Sequence, residues 1–384
     1  GQLDGGNFEV QGEGILEDQA FNVALQTIDL PATGVNLFLP PELGIISGTL
    51  NSNLTAEIRL QNQDQPATAE GVARLGNGEV VTNQLSQPIR DINTTLRFQG
   101  NRVLLEDTGL QVGDIPLTAA GTVDLDDGYD LTAAIPRVSI ENVTDLLDQE
   151  LSVAAAGDFQ FEGMVTGALD QPQIAGQLEN LGSLQVDQVA VDSLSANFAA
   201  NLEQVDLRTL RIIPADGGFI TANGQVDLTD LEDPGLNLDL QTDLPADALA
   251  ASYGVTLPAG TVIGSLQADG QVRGTLGDPQ ATVQFQLVDS SYPGRGELTY
   301  RDNTLVLDNT QFQVETGTVN ANAIARLDSG SWTADLSTAN VPVERFTDQA
   351  QGLLTADLTA SGNLNNLNLA AIDARGNAEI ADAA

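Results

Sequence analysis

The feature that most constrains this chain is a short motif that returns four times at a nearly fixed spacing. The copies begin at Gly12, Gly121, Gly224 and Ala323, read GEGIL, GTVDL, GQVDL and AIARL, and lie 109, 103 and 99 residues apart. Self-similarity at a fixed spacing indicates that one supersecondary unit has been copied along the chain. We therefore predict a quasi-one-dimensional repeat array rather than a single globule.

Prolines repeat in parallel with this motif and mark the expected repeat boundaries. The boundary prolines are spaced by 105, 109 and 97 residues and are Pro31, Pro136, Pro245 and Pro342. A second series, spaced by 106 and 107 residues, predicts turns at Pro66, Pro172 and Pro279 and supports the same division. We divide the chain into the end of a preceding repeat (1–40), three repeats (41–150, 151–254 and 255–351) and the start of another (352–384). Since no low-complexity linker separates them, we expect one continuous structural array.

Hydrophobic residues alternate with polar ones over most of the chain. This period of two residues is typical of a β-strand with one solvent-exposed face. Clear examples are Leu236–Leu240, Val283–Leu287, Phe159–Glu162 and Leu354–Leu358. Tight hairpin turns are predicted between such runs, so that neighbouring strands are mostly antiparallel. The turn signals are Gly76–Gly78, Asp127–Gly128, Asp216–Gly218, Asp302–Asn303 and Ser329–Gly330. The sequence therefore predicts an all-β fold.

Short helices are expected after three of the boundary prolines. In the segment after Pro136, Asn142 is a candidate cap, Asp145 stands at the reciprocal capping position, and Val143, Leu146 and Leu147 share a face. Val343, Phe346 and Ala350 repeat this stripe after Pro342. Helices this short need the sheet for stability, so we expect them to cover part of it.

The composition narrows the possible functions. His, Cys and Lys are absent, and 14 arginines face 54 acidic residues, for a net charge of -40. Nucleic acid is not expected as a partner, because phosphate binding needs a basic surface. A Ser-His-Asp triad, a thiolate nucleophile and the usual zinc ligands are excluded. We expect no enzymatic activity, no metal and no cofactor, and the stretch Asp124–Asp130 is interpreted as a hairpin turn rather than a calcium loop.

An apolar strand face must be removed from water by a second sheet, by closure of the sheet or by a ligand. Aromatic residues make up only 4% of the chain, and several inward positions are alanines, such as Ala323, Ala325 and Ala356. Small residues fit a dry, tightly packed interior as well as a wall that leaves room for a guest. The residues alone leave both possibilities open.

If a guest occupies this face, the residues that alternate with Asp, Asn and Gln should line it. These predicted lining residues are Phe159, Phe161, Leu236, Leu238, Leu240, Val283, Phe285, Leu287, Leu305, Leu307, Leu354 and Leu358.

Three stretches resemble the repeat of the TamB and AsmA-like envelope proteins. They are Ile89–Glu106 with the motif at Gly121 behind it, Gly296–Asp308, and the turn Gly274–Pro279. The resemblance implies a long, curved, U-shaped sheet, the β-taco, with an apolar concave face that accepts the acyl chains of phospholipids. It also implies short helices at the repeat boundaries and a role as a lipid-transfer conduit between inner and outer membranes.

The resemblance further implies a location in the periplasm, with an anchor in the inner membrane. Members of the family are implicated in outer-membrane assembly with an Omp85-type barrel, and a relative serves chloroplast protein import. The chain has no apolar run of ~20 residues, begins at Gly1 and ends within the pattern. We therefore expect contacts with both membranes to be made by segments outside it.

Alternatives to lipid transfer are a passive spacer or adhesin-like rod with a dry core, a scaffold for outer-membrane protein insertion, and a polysaccharide-processing β-solenoid.

Overall fold

The computed structural model describes residues 1–3, 5–15, 20–33, 43–59, 68–82, 87–147, 154–230, 232–255, 257, 260–345, 351–366 and 371–382. Within these residues the chain is all-β, with 23 strands, two short α-helices and a 3₁₀ turn at Val343–Arg345, which confirms the predicted fold class.

The first eleven strands are β1 (Gln2–Leu3), β2 (Gly6–Ile15), β3 (Ala20–Pro31), β4 (Leu43–Arg59), β5 (Thr68–Thr82), β6 (Ile89–Gly100), β7 (Arg102–Val112), β8 (Ile115–Asp124), β9 (Gly128–Ser139), β10 (Ala155–Gly167) and β11 (Gln173–Val186). The remaining strands are β12 (Val189–Ala200), β13 (Gln204–Pro214), β14 (Phe219–Asp227), β15 (Gly235–Pro245), β16 (Ser265–Thr275), β17 (Pro279–Val288), β18 (Gly294–Arg301), β19 (Thr304–Val314), β20 (Gly317–Arg326), β21 (Ser331–Pro342), β22 (Leu353–Asn363) and β23 (Asp373–Ala381). The helices are α1 (Ile140–Leu147) and α2 (Ala246–Ser252).

The chain divides into two compact units, each of which contains an antiparallel meander. Unit 1 comprises Gly1–Asp187 with Asn197–Leu202, and unit 2 comprises Gln188–Ala196 with Glu203–Ala384. In unit 1 each strand from β1 to β11 pairs with the next, and in unit 2 the same holds from β13 to β23. Every one of these pairings is antiparallel, as the turn signals predict.

The repeated motif returns every six strands. Gly12, Gly121, Gly224 and Ala323 lie on β2, β8, β14 and β20. A helical connection also recurs one strand later. Helix α1 follows β9, helix α2 follows β15, and the 3₁₀ turn follows β21. A spacing of roughly one hundred residues thus corresponds to six strands and one helical connection. The repeat boundaries given above stay a prediction.

The glycine of the motif is required in two of its copies. Gly121 and Gly224 have φ angles of +132° and +141°, and a Cβ atom on either would collide with a carbonyl oxygen of the next strand, from Asp130 or Asn237. A Cβ atom on Gly12 would meet nothing within 4 Å. The first position of the motif is therefore a small apolar residue in all four copies, and in two of them the backbone conformation requires glycine.

The predicted helix caps are partly wrong. Helix α1 begins at Ile140, and the Ser139 hydroxyl accepts a hydrogen bond from the Asn142 N–H at 3.1 Å. Ser139 therefore caps the helix, while Asn142 lies inside the first turn. After Pro342 only the 3₁₀ turn at Val343–Arg345 is seen, and the predicted stripe residues Phe346 and Ala350 lie outside the described residues.

Four of the five predicted hairpin turns join consecutive strands, and the fifth prediction is wrong. Asp302 and Asn303 have φ angles of +48° and +54°, as a type I′ turn between β18 and β19 requires. Gly76–Gly78, in contrast, lies inside β5, where Asn77 has φ +48° and the register with β6 shifts between Leu75 and Gly78. It is a β-bulge, because both flanking segments keep pairing with the same neighbours. The predicted turn at Pro66 lies outside the described residues.

The hairpin interpretation of Asp124–Asp130 is confirmed, since residues 125–127 link β8 to β9. The Asp124 carboxylate accepts hydrogen bonds from the backbone N–H groups of Asp126 and Asp127 at 3.0 and 3.3 Å. These bonds, the one from Asp126 above all, hold the pKa of Asp124 below its usual value.

Candidate functional site

The strand register of unit 2 builds one continuous apolar face. Residues that pair directly across antiparallel strands point to the same side of the sheet. Following such pairs from β13 to β23 gives row A, whose members are all apolar: Leu210, Ala222, Leu240, Gly270, Val283, Leu298, Leu307, Ala323, Ala334, Ala360 and Ala374. At about 4.8 Å per strand, row A extends on the order of 48 Å.

Two further rows flank row A on the same face, and apart from Thr338 in row C their members are glycines and aliphatic or aromatic residues. Row B is Leu207, Gly224, Leu238, Val272, Ala281, Tyr300, Leu305, Ala325, Trp332 and Gly362. Row C lies at the other side, nearer α2, and is Leu244, Leu266, Leu287, Gly294, Phe312, Val319, Thr338, Ala356 and Ala378. We call the side of the sheet that holds these rows the apolar face of unit 2.

Ten of the twelve predicted lining residues lie on this face. Six of them belong to rows A, B and C, and Leu236, Phe285, Leu354 and Leu358 alternate with row members on β15, β17 and β22. All ten are half-buried. Their neighbours in sequence, such as Asp239, Gln284, Gln286 and Asp357, are exposed on the opposite side. Whether these residues contact lipid stays a prediction.

Small side chains form a buried floor between the larger ones. Ala222, Ala268, Ala321, Ala356 and Ala360 are each at most 8% exposed. Among the elements that the structure describes, extensive contacts join consecutive strands, or a helix with the strands on either side of it. In this part of the chain, the larger side chains of the apolar face of unit 2 keep part of their surface accessible.

Large rings on the apolar face lie against glycines of the neighbouring strand. A Cβ atom on Gly296 would lie 2.9 Å from the Phe285 ring, and one on Gly362 would lie 2.9 Å from the Trp332 ring. Gly294 accommodates the ring of Phe312 in the same way. Because glycine has no side chain, each ring can lie along the sheet instead of projecting from it. The largest side chains of the apolar face therefore project little above the sheet.

Unit 1 carries an apolar face of its own. The register from β2 to β11 connects Phe8, Thr27, Ser52, Ala73, Leu96, Leu105, Gly121, Leu131, Val165 and Ile174. The two hydroxyls in this row are buried and hydrogen-bond to each other, with Thr27 Oγ1 2.9 Å from Ser52 Oγ. No free polar group from this pair therefore faces the apolar side.

The two predicted lining residues of unit 1 are Phe159 and Phe161 on β10, and both are half-buried. The Phe161 ring stacks on that of Phe198, with centroids 5.8 Å apart, and fills the space left by Gly163 and Gly176. The Phe161 ring therefore contacts neighbouring residues of unit 1 as well as lining its apolar face.

The opposite side of the unit 2 sheet is polar and holds a cleft of about 630 Å³ over β15–β18. Its lining includes Gln241, Gln267, Asp269, Gln284, Gln286, Arg295 and Glu297. At one end, the Arg211 guanidinium lies 5.1 Å from the centroid of the Phe219 ring. The polar side chains that line this cleft thus present amide, carboxylate and guanidinium groups.

Several residues of the apolar face are not predicted by the alternation in the sequence. Leu298 and Tyr300 lie in rows A and B, but their strand, β18, presents Gly294 and Gly296 at the two preceding inward positions. Glycines at inward positions conceal the alternation, since a period-two search looks for large apolar residues. In unit 1, the register shift between Leu105 and Thr108 obscures the period in β7.

The described residues show no helix long and apolar enough to cross a membrane. They also contain no group of three or more Asp and Glu side chains placed to hold a metal ion.

Comparison with known proteins gives one distant similarity. The chain is similar to Protein SUBSTANDARD STARCH GRAIN 4, chloroplastic, from Oryza sativa subsp. japonica, with 24% identity over 270 residues. The matched region is 59% of this chain and 12% of the rice protein, so the chain spans about an eighth of that relative. No protein-family model matches the chain, and no solved structure matches it.

Proposed function

We propose that this chain is a lipid-transfer segment of the TamB and AsmA-like type, in which the apolar faces of the sheet carry phospholipid acyl chains between two membranes. The observation that supports this most is the continuous apolar face of unit 2, whose larger side chains remain partly accessible. Its larger side chains stay half-buried over a closed floor of small ones, as a surface that receives a guest requires. A rod with a dry core would need a second layer over rows A to C.

The energetics favour such a surface as a path for lipid. Exposing an acyl chain to water costs roughly 0.8 kcal/mol per methylene, and hence about 12 kcal/mol for a chain of ~15 methylenes. A row of apolar residues that runs from strand to strand removes most of this barrier at every step. No bond is made or broken, so the protein needs neither a catalytic group nor a cofactor, and we propose that it is not an enzyme.

We place this segment in the aqueous space of a double-membrane envelope, the periplasm in a bacterium, with an inner-membrane anchor in the full-length protein. An Omp85-type barrel at the outer membrane is the partner proposed for the full-length protein. The acidic polar face, part of a chain with a net charge of -40, would keep the segment dissolved.

Mass spectrometry of organic extracts from the purified protein tests the proposal. We expect at least one phospholipid per chain in the wild type. Leu298→Glu places a charge in row A and should reduce bound lipid by about tenfold or more, because a buried carboxylate is costly. Thr299→Glu adds the same charge at the next residue, on the polar side, and should match the wild type. Lipid-free wild-type protein would favour the dry rod.

A further inference from the structure

An apolar cavity lies at the end of unit 2 where α2 connects β15 to β16. Its volume is about 360 Å³, and its walls come from the segment before β16, the link between β17 and β18, and the ends of three strands. The lining residues are Thr261, Val262, Ile263, Leu287, Ser290, Tyr292, Phe312, Val314 and Val319. An apolar cavity of about 150 Å³ already stays dry and binds benzene. This cavity is therefore large enough for a hydrocarbon guest.

The Ser290 hydroxyl at the cavity is engaged by backbone groups. Ser290 Oγ donates a hydrogen bond to the Val262 carbonyl oxygen at 3.2 Å and accepts one from the Tyr292 N–H at 3.0 Å. A bound water needs two to four polar partners, and a sugar or a charged ligand needs more. The wall consequently favours a guest without polar groups.

The rim of the cavity is fixed from outside. The Asp247 carboxylate of α2 accepts hydrogen bonds from the N–H groups of Ile263 and Gly264, both at 2.8 Å. On the other side, the Val262 N–H donates to Ser291 Oγ at 3.0 Å, and the Ser291 N–H donates to the Val262 carbonyl at 2.8 Å. These four hydrogen bonds fix the two segments of the rim, so little ordering remains to be done when a guest binds.

The floor of the cavity belongs to the apolar face. Leu287, Phe312 and Val319 are consecutive members of row C apart from Gly294, on which the Phe312 ring lies. A chain lying along rows A to C can therefore reach the cavity without leaving apolar contact.

We propose that this cavity binds the methyl end of one acyl chain of a phospholipid, and that it holds the lipid at a defined place on the face. The inference rests on the proposed function, which it deepens by adding a discrete tail site. At roughly 30 Å³ per group of the size of a water or a methylene, a volume of about 360 Å³ accommodates about twelve methylenes, most of a chain of ~15. Lipid in unit 2 then has a preferred position instead of sliding freely.

Photolabelling with the full chain tests the tail site. The probe is a phosphatidylcholine with a diazirine at the methyl end of one acyl chain, supplied in vesicles of unlabelled phosphatidylcholine. Peptide mass spectrometry should find the label concentrated on residues 261–263, 287 and 312–319. Val319→Phe fills the cavity and should lower this labelling about tenfold. Ile324→Phe, on the polar side of the same strand and 42% exposed, is the matched control and should leave it unchanged.

A second variant keeps the test valid if Val319→Phe does not fold. Val262 is 46% exposed at the rim, so Val262→Glu leaves the floor intact while placing a carboxylate at the cavity, and it should produce the same loss. Labels spread evenly along rows A to C, unaffected by either variant, would overturn the tail site and leave the proposed function standing. Labels absent from the apolar faces of both units would overturn both.

Discussion

The two faces of unit 2 are made by the same strands, and they differ in the side chains that line their cavities. On one face, alanines and glycines form a floor, large side chains lie half-buried above it, and the cavity near α2 has almost no polar surface. On the other, the cleft over β15–β18 is lined by side chains such as Gln284, Arg295 and Glu297. The comparison teaches that apolar and polar side chains are assigned to opposite sides of the sheet at each residue step along a strand.

The largest difference between the two faces is expected at Gly296, where an added Cβ atom would collide with the Phe285 ring and with Thr310 Oγ1. Gly296→Val should destabilise unit 2 by about 2–3 kcal/mol, because the ring must rise from the sheet. Thr299→Val, on the polar side of the same strand, should change the free energy of unfolding by less than about 0.5 kcal/mol. Urea denaturation measures both changes, and equal effects would show that the apolar face is no more closely packed than the polar one.

A smaller effect is expected from the charge of the lipid. Because 54 acidic residues face 14 arginines, a phospholipid with an anionic headgroup should bind about fivefold more weakly than a zwitterionic one at low salt, a difference of about 1 kcal/mol. At 1 M salt the Debye length is about 3 Å, so the preference should disappear. Competition between phosphatidylglycerol and phosphatidylethanolamine at both salt concentrations measures it. Equal binding at low salt would mean that the acidic side chains do not act on the headgroup.

The smallest effect concerns Asp247, which holds the rim of the apolar cavity. Hydrogen bonds from the N–H groups of Ile263 and Gly264 lower the pKa of its carboxyl group. The folded state thus favours the carboxylate, and the resulting stability is present above the ordinary carboxyl pKa of about 4 and lost as the pH falls through the lowered value. Wild type should therefore exceed Asp247→Asn in stability at pH 7, and the difference should shrink below about pH 4.

Urea midpoints between pH 7 and pH 3 test this dependence. Asp269→Asn, on the polar face of β16, is the control, since no side-chain hydrogen bond to the Asp269 carboxylate is seen within the described part of the chain. If the difference in urea midpoint between wild type and Asp247→Asn stays constant down to pH 3, the Asp247 carboxylate does not stabilise the rim.

Much of the fold could be predicted because it depends on local rules. Period-two alternation locates strands such as β15, β17 and β22, and the type I′ turn at Asp302–Asn303 follows from residues that tolerate positive φ. The repeat spacing was also readable, since the motif falls on every sixth strand. Gly76–Gly78 shows the limit of such rules. The same letters serve a turn or a bulge, and only the pairing of β5 with β4 and β6 distinguishes them.

The candidate site was predictable in kind but not in extent. Ten of the predicted lining residues share one face, because alternation fixes the side of a strand. The residues around the cavity were not found, since Val262 and Ile263 lie outside strands and Phe312 is separated in sequence from the α2 connection. Cross-strand neighbours depend on register, which a single strand does not encode. The glycines beneath Phe285 and Phe312 are also explained only by the strand opposite.

Site-specific photocrosslinking in unit 2 tests the central claim most directly. A benzophenone side chain replaces Phe285 in one variant and Gln286 in another, two neighbours that point to opposite sides of β17. Irradiation of each protein in the presence of phospholipid vesicles, followed by mass spectrometry, measures lipid capture. The account predicts capture at position 285 and none above background at position 286. Equal capture at the two positions, or capture at 286 alone, would contradict it.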